Sequence, residues 1–169
     1  MQYEAYLEQI KDFEKHYQYD TTYMREMLAA SVSMYDKFNN TMPLVSHREL
    51  LDVETYMVAK LATMAFEDCG ECLQLNIKMV QEQGVSDKVI RGAISGGKGL
   101  SAELKDIHDF ALMISNNTRD ADLVKLVESR LNKGQLLELG LAVATTKIFP
   151  VLKRAVGYAK SCSLTPLEI

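Results

Sequence analysis

The chain contains few of the residues that interrupt helices or link a small domain covalently. Its 169 residues include no Trp, three Pro, three Cys and nine Gly. Proline and glycine both destabilise helix interiors, so their scarcity leaves long stretches free to form helices. Neither sign of charge dominates, because the net charge is only −4 and no basic stripe suited to nucleic acid is present. The composition therefore predicts a folded domain that does not bind nucleic acid.

Long apolar runs are also missing. No unbroken stretch approaches the roughly 18 residues of a membrane span, and residues 1–8 lack the basic and apolar segments of a signal peptide. We therefore expect a cytoplasmic protein without a membrane partner. An odd number of cysteines does not suit a secreted disulfide framework. In a reducing compartment, two closely spaced thiols favour a catalytic or metal-binding role.

Helix-forming residues fill the segments between the glycines and prolines, and no segment alternates as a strand does. The pattern predicts one all-α domain, residues 1–169, built as a compact bundle of about eight short helices. The nine methionines are expected to fill the core, with a Met-lined ligand pocket as the alternative. The expected helices span about 2–18, 22–38, 46–66, 68–83, 86–95, 101–114, 118–134 and 135–161.

Several helix boundaries have specific sequence signals. Ser46 and Glu49 form a capping-box pattern, so the third helix is expected to begin there. Asp68 is expected to cap the fourth helix, Ser101 the sixth and Thr118 the seventh. Ser86 or Asp87 is expected to open the fifth. Pro150 is expected to divide the last helix into two pieces.

The strongest chemical feature is the Cys69-Gly70-Glu71-Cys72 motif near the start of the fourth helix. Thiols at positions i and i+3 lie on one side of a helix, and the free N–H groups and partial positive charge of a helix N-terminus stabilise a thiolate. One thiol can then attack a substrate while the other closes a disulfide. The pattern predicts redox chemistry, and helix position alone favours Cys69 as the attacking thiol.

Two other interpretations of the pair compete with redox chemistry. Two buried thiols can act simply as small apolar residues. A structural zinc site needs about four ligands, and only His16, His47, His108 and Cys162 are available to complete one.

Residues 57–94 carry a family resemblance: MVAKLATMAFEDCGECLQLNIKMVQEQGVSDKVIRGAI. They resemble the AhpD-like alkylhydroperoxidases of the carboxymuconolactone decarboxylase superfamily, with similarity over about 46–116 that includes Gly84-Val85-Ser86-Asp87 and Phe110-Ala111-Leu112. The resemblance implies an AhpD-like helical fold, a peroxide or disulfide substrate and a thiol protein as electron donor. It also implies a homo-oligomer, commonly a trimer or hexamer, and neither a cofactor nor a metal.

The resemblance also assigns roles to the motif. In the family the second Cys attacks, the first resolves, and a Glu twelve residues before the pair and a His four residues after it relay protons. These two positions are Met57 and Asn76 in this sequence, and neither side chain titrates near neutrality. General acid–base help is worth about 10²–10⁴-fold, so a weakened relay is expected. Glu54, one turn before Met57, and His108, expected to face inward, are the candidate substitutes.

We therefore predict a thiol-disulfide oxidoreductase with Cys69, Cys72, Glu54, Asn76 and His108 as candidate catalytic residues. Glu67 and Glu71 are expected to be solvated carboxylates, and Glu71 would raise the pKa of Cys72. One alternative is a non-enzymatic helical binding or assembly module that kept the fold and lost the chemistry. A lactone decarboxylase is a third, suggested by fold analogy alone.

Overall fold

All regular structure in residues 2–164 and 167–169, which the computed structural model describes, is helical. The α-helices are α1 (Gln2–Tyr17), α2 (Thr22–Ala30), α3 (Val32–Asn39), α4 (Met42–Val45), α5 (Val53–Phe66), α6 (Gly70–Glu82), α7 (Asp87–Ile94), α8 (Ala102–Ser115), α9 (Ala121–Glu128), α10 (Lys133–Thr146) and α11 (Ile148–Ala155). A 3-10 turn, Cys162–Leu164, follows. The predicted all-α bundle is confirmed. The helices outnumber the expected eight because the second is divided, α4 is additional, and the last is in two pieces as expected.

Two apolar cores organise the bundle. The main core surrounds α5, which packs against α6, α7, α8 and α10. The second core joins α1, α2 and α3 to one side of α6 and to α11, and it is rich in aromatic side chains. The N-terminal helices, for which the sequence offers no motif, therefore cover the face of α6 that carries the second cysteine of the motif.

The start of α5 differs from the prediction. The helix is capped by Asp52, whose carboxylate accepts the Thr55 N–H at 2.9 Å, and Ser46 and Glu49 lie in the preceding loop. The reason is the buried carboxylate of Glu138 on α10, which accepts the backbone N–H groups of residues 49, 50 and 51 at 2.7–2.9 Å. A distant charged acceptor thus replaces the local capping box, because a charge-assisted bond is stronger than a neutral one.

The other predicted boundaries shift for local reasons. The expected second helix divides at Ser31, whose hydroxyl caps α3 by accepting the Met34 N–H at 3.1 Å. The last helix divides at Lys147 rather than at Pro150. A proline ring clashes with the carbonyl four residues earlier inside a helix, but it is tolerated in the first turn. The break therefore falls just before Pro150, which lies in the first turn of α11. The seventh helix is capped by Asp120 rather than Thr118. Ser101 caps α8 as predicted, and of the two candidates for the start of α7 it is Ser86 that caps the helix.

One stretch, Lys133–Ala155, is long and apolar enough to cross a membrane when judged by length and composition alone, with a mean hydropathy of 1.3. It covers α10 and α11 and does not form an unbroken apolar run. In this fold α10 packs against α5 and α8, and Glu138 and Lys153 of the stretch are both buried.

Candidate redox site

The turn before α6 is held by the C-terminal segment. Asp68 adopts the left-handed region with a φ of 50°, which Asp tolerates better than most residues. Its carboxylate accepts the Ser161 hydroxyl at 3.0 Å and the Cys162 N–H at 2.8 Å, so it does not cap α6 as expected. The N-cap is Cys69 itself, and the Gly70 N–H donates to the Lys160 carbonyl at 2.9 Å. The segment 160–162 therefore fixes the backbone that presents the cysteine pair.

Cys69 and Cys72 are joined by a disulfide in this structure, with their Cα atoms 5.3 Å apart. The main core buries both residues, which are 0% and 1% exposed. They differ in surroundings, because Cys72 lines a cavity and Cys69 is not among its lining residues. The Cys72 sulfur lies 3.9 Å from the Tyr19 hydroxyl. Of the two thiols of the reduced protein, Cys72 is thus the one positioned to meet a substrate.

The cavity lies between the two cores and has a volume of about 390 Å³. Its wall is mainly aromatic and thioether, with Phe13, Tyr19, Tyr23, Tyr35, Phe38 and Phe149 beside Met24, Met42, Met64 and Met79. Gln9 and Ser46 of the wall are exposed, so the cavity opens to solvent near them. Four of the nine methionines therefore line a pocket, which is the alternative that the sequence left open.

Charges around the pair are balanced. Although burial raises the pKa of Glu71, bonds from Lys153 at 2.5 Å and Lys160 at 3.1 Å lower it more, so its pKa lies below the ordinary value. The expected repulsion between Glu71 and a Cys72 thiolate is offset by these two ammonium groups. Lys153 is fully buried, and its Nζ lies 4.8 Å from the centre of the Tyr19 ring.

Glu67, the other carboxylate beside the motif, is not solvated as expected. It is 7% exposed and pairs with Lys147 at 3.1 Å and with the guanidinium of Arg154. The bonds from these cations outweigh burial, which acts in the opposite direction, and the pKa of Glu67 is lowered. This carboxylate ties α5 to α10 and α11 and has a structural role.

The structure brings together only part of the predicted catalytic set. Asn76 lines the cavity with Cys72, but its amide donates to the Cys72 carbonyl at 2.8 Å. Glu54 lies in the first turn of α5 and is not a lining residue. His108 faces inward as expected, at 3% exposed, yet its Nδ1 lies 2.9 Å from the Asp109 carboxylate, and it does not line the cavity either.

Sequence reasoning missed Lys60, which lines the cavity from α5 one turn after Met57. Its Nζ donates to the Val45 carbonyl at 3.1 Å. Burial lowers the pKa of Lys60 to about 8. A signal was available, since Lys60 is the only charged residue between Glu54 and Glu67. A charge at the centre of so apolar a helix indicates a specific environment.

Comparison with known proteins assigns no family. No protein-family model, curated protein or solved structure matches the chain. The described residues also contain no group of three or more His, Cys, Asp or Glu side chains arranged to hold a metal ion. The resemblance of residues 46–116 to AhpD-like proteins therefore stays a hypothesis that depends on the motif, and the site has to be interpreted from its own geometry.

Proposed function

We propose that this protein is an AhpD-like thiol-disulfide oxidoreductase that reduces a hydroperoxide, or a partner-protein disulfide, with the Cys69–Cys72 pair. The observation that carries the proposal is the position of Cys72, which is bonded to Cys69 and also forms part of the wall of an apolar cavity. Such a cavity suits an organic hydroperoxide better than hydrogen peroxide. We further propose a cytoplasmic location, and the resemblance adds a homo-oligomeric assembly and a thiol protein as the electron donor.

The chemistry needs only the two thiols and the substrate. The Cys72 thiolate attacks the terminal oxygen of the hydroperoxide, an S–O bond forms, the O–O bond breaks, and the alkoxide leaves and is protonated to an alcohol. The Cys69 thiol then attacks the Cys72 sulfur, the S–S bond forms, and water leaves. Two thiols are oxidised and one peroxide is reduced, and the two thiol protons are taken up by the alcohol and the water. A dithiol of the electron donor then reduces the disulfide by exchange.

The surroundings of Cys72 supply modest activation. Cys72 lies in the first turn of α6, where the partial positive charge of a helix N-terminus favours a thiolate. The Tyr19 hydroxyl lies 3.9 Å from the Cys72 sulfur. Burial raises the pKa of Tyr19 well above its ordinary value, so this hydroxyl stays protonated and can donate to a thiolate. Without the relay Glu and His of the family, we expect turnover about 10²–10⁴-fold slower than in a protein that has them.

A non-enzymatic module is the second candidate, and one observation favours it. No carboxylate or imidazole is among the cavity-lining residues in the part of the chain that the structure describes. In that case the cavity would bind a ligand, and the cysteine pair would act only as a redox-sensitive clamp at the start of α6.

A single-turnover experiment separates these candidates. When the reduced protein is mixed with cumene hydroperoxide, we expect one alcohol to form for each Cys69–Cys72 disulfide, since each turnover consumes both thiols. Quenched-flow sampling with mass spectrometry measures both products. Cys162→Ser is the matched control and should react like the wild type, because Cys162 does not line the cavity. A rate no faster than that of free dithiothreitol at equal thiol concentration would favour the binding module.

A further inference from the structure

We propose that the cavity binds a medium-chain aliphatic carboxylate, with the carboxylate on Lys60 near the mouth and the chain directed toward Cys72. The inference rests on the proposed function in one respect, since it names the substrate class of that site as a carboxylic acid hydroperoxide. The binding itself requires no chemistry at the cysteines.

Among the described residues, Lys60 has no counterion. Its ammonium group contacts one neutral acceptor, the Val45 carbonyl at 3.1 Å, and lies 5.3 Å from the centre of the Tyr56 ring. No carboxylate comes within ion-pair distance of it in the described part of the chain. Lys153, by contrast, is fully buried and paired with Glu71. An unpaired ammonium in an apolar wall is costly, and an anion in the cavity would compensate it.

The position of Lys60 gives the ligand a direction. The carbonyl that Lys60 contacts belongs to Val45, and the next residue, Ser46, is exposed and forms part of the same wall. Cys72 lines the same cavity and is only 1% exposed, so its sulfur is shielded from bulk solvent. A carboxylate held by Lys60 near the mouth therefore leaves its chain to extend inward toward the sulfur.

The rest of the wall fits an aliphatic chain. Aromatic rings and four flexible methionines offer dispersion contacts and few polar partners. A volume of about 390 Å³ accommodates about a dozen non-hydrogen atoms, at ~30 Å³ for each. This is the size of decanoate, and it is too small for a long-chain fatty acid in full.

A second polar group lines the cavity near Cys72. The hydroxyls of Tyr19 and Tyr23 are neighbours, and the buried Tyr23 hydroxyl makes no well-formed hydrogen bond within the described residues. Because an unsatisfied buried hydroxyl is costly, it can donate to a polar group of the ligand. A hydroperoxide on the chain, beside the Cys72 sulfur, would satisfy it.

The test is calorimetric titration of the oxidised protein with sodium decanoate, with decanol as the uncharged ligand of equal chain length. We expect decanoate to bind roughly ten- to a hundredfold more tightly than decanol, the typical range for a charge-assisted contact. Lys60→Gln, which removes the charge and keeps a hydrogen-bond donor, should remove this preference. Lys37→Met is the matched control, because Lys37 is a largely exposed residue of α3. Equal affinity for the two ligands, or an unchanged preference in Lys60→Gln, would overturn the proposal.

A pH titration of the wild type keeps the proposal testable if the variants fold poorly. Decanoate affinity should fall about tenfold per pH unit once the pH exceeds the Lys60 pKa of about 8. The cavity-lining tyrosines and the nearby Tyr56 have raised pKa values and should not contribute in this range: Tyr19, Tyr23, Tyr35 and Tyr56. An affinity that is constant from about pH 7 to pH 9.5 would contradict a role for Lys60.

The binding assay and the redox assay test the two proposals independently, so either proposal can be refuted without the other. Decanoate binding is measured on the oxidised protein, whose Cys69–Cys72 disulfide leaves neither thiol free to react with a peroxide. Decanoate binding without peroxide reduction would refute the proposed function and leave the carboxylate site in place. Peroxide reduction with no preference for decanoate over decanol would refute the carboxylate site alone.

Discussion

Replacing Cys72 with Ser is expected to abolish peroxide reduction, lowering the rate by at least about 10³-fold. Of the cysteines in the described part of the chain, only Cys72 lines the cavity, so no other thiol can attack a substrate held there. Cys69→Ser is expected to retain the first step, because its Cys72 can still attack the peroxide. It should stop after one turnover as a sulfenic acid at Cys72. Stopped-flow peroxide consumption, followed by dimedone trapping and peptide mass spectrometry, measures both steps.

The asymmetry between the two serine variants decides which cysteine attacks. Helix position alone favours Cys69, whereas the family resemblance and the cavity favour Cys72. A dimedone adduct at Cys69 in the Cys72→Ser protein would reverse the assignment. Equal loss of the first step in both variants would mean that neither thiol attacks the peroxide directly.

Replacing Lys60 with Met is expected to stabilise the protein by about 1–3 kcal/mol at neutral pH. Burial lowers the pKa of Lys60 from 10.5 to about 8, so the folded state disfavours the charged lysine. Each pKa unit corresponds to about 1.4 kcal/mol, and part of that is lost because solvent reaches this partly exposed side chain. Methionine has a similar length and carries no charge.

The sign of the pH dependence of stability follows from the lowered pKa of Lys60. Below about pH 8 the lysine is charged in both the folded and the unfolded state, and the full free-energy cost of burying its charge opposes folding. Between about pH 8 and 10.5 only the unfolded state stays protonated, so the wild type gains stability and the advantage of Lys60→Met shrinks. Urea unfolding at about pH 7 and pH 10 measures both changes.

Two other lysines serve as controls for this stability effect. Lys37→Met should change the free energy of unfolding by less than about 0.5 kcal/mol, because Lys37 lies on the surface. Lys153→Met should destabilise the protein, since it leaves Glu71 without its buried partner. Destabilisation by Lys60→Met at neutral pH would show that Lys60 is well satisfied and would weaken the argument for an anion site.

Local sequence signals predicted much of the fold. Ser86 and Ser101 act as N-caps where their positions indicate, and the helical composition gives the all-α class. The failures occur where a distant residue intervenes. The predicted capping box at Ser46 is replaced by the buried carboxylate of Glu138, which is 92 positions away in sequence. No local sequence signal predicts this role of Glu138.

The site was less predictable than the fold. The cysteine motif is local and was visible at once, but the cavity beside Cys72 forms only when α1–α3 pack against α6 and α11. Spacing arguments pointed to Glu54 and His108, which lie on helices of the main core and outside the cavity wall. Lys60 lines the cavity from α5 and Tyr19 from the loop between α1 and α2, and only the tertiary structure shows that they share it.

The most direct test of the account is the alkylation rate of each cysteine against pH, measured on the reduced protein by peptide mass spectrometry. Burial and the Asp68 carboxylate raise the pKa of Cys162, which therefore serves as a slow internal reference. We expect Cys72 to react as a thiol with a pKa of about 7 or lower, faster than Cys69 and Cys162, since a helix N-terminus and a tyrosine hydroxyl stabilise its thiolate. If Cys72 reacts as an ordinary thiol near ~8.5, or stays inert through about pH 9, it is not activated and the oxidoreductase proposal is wrong.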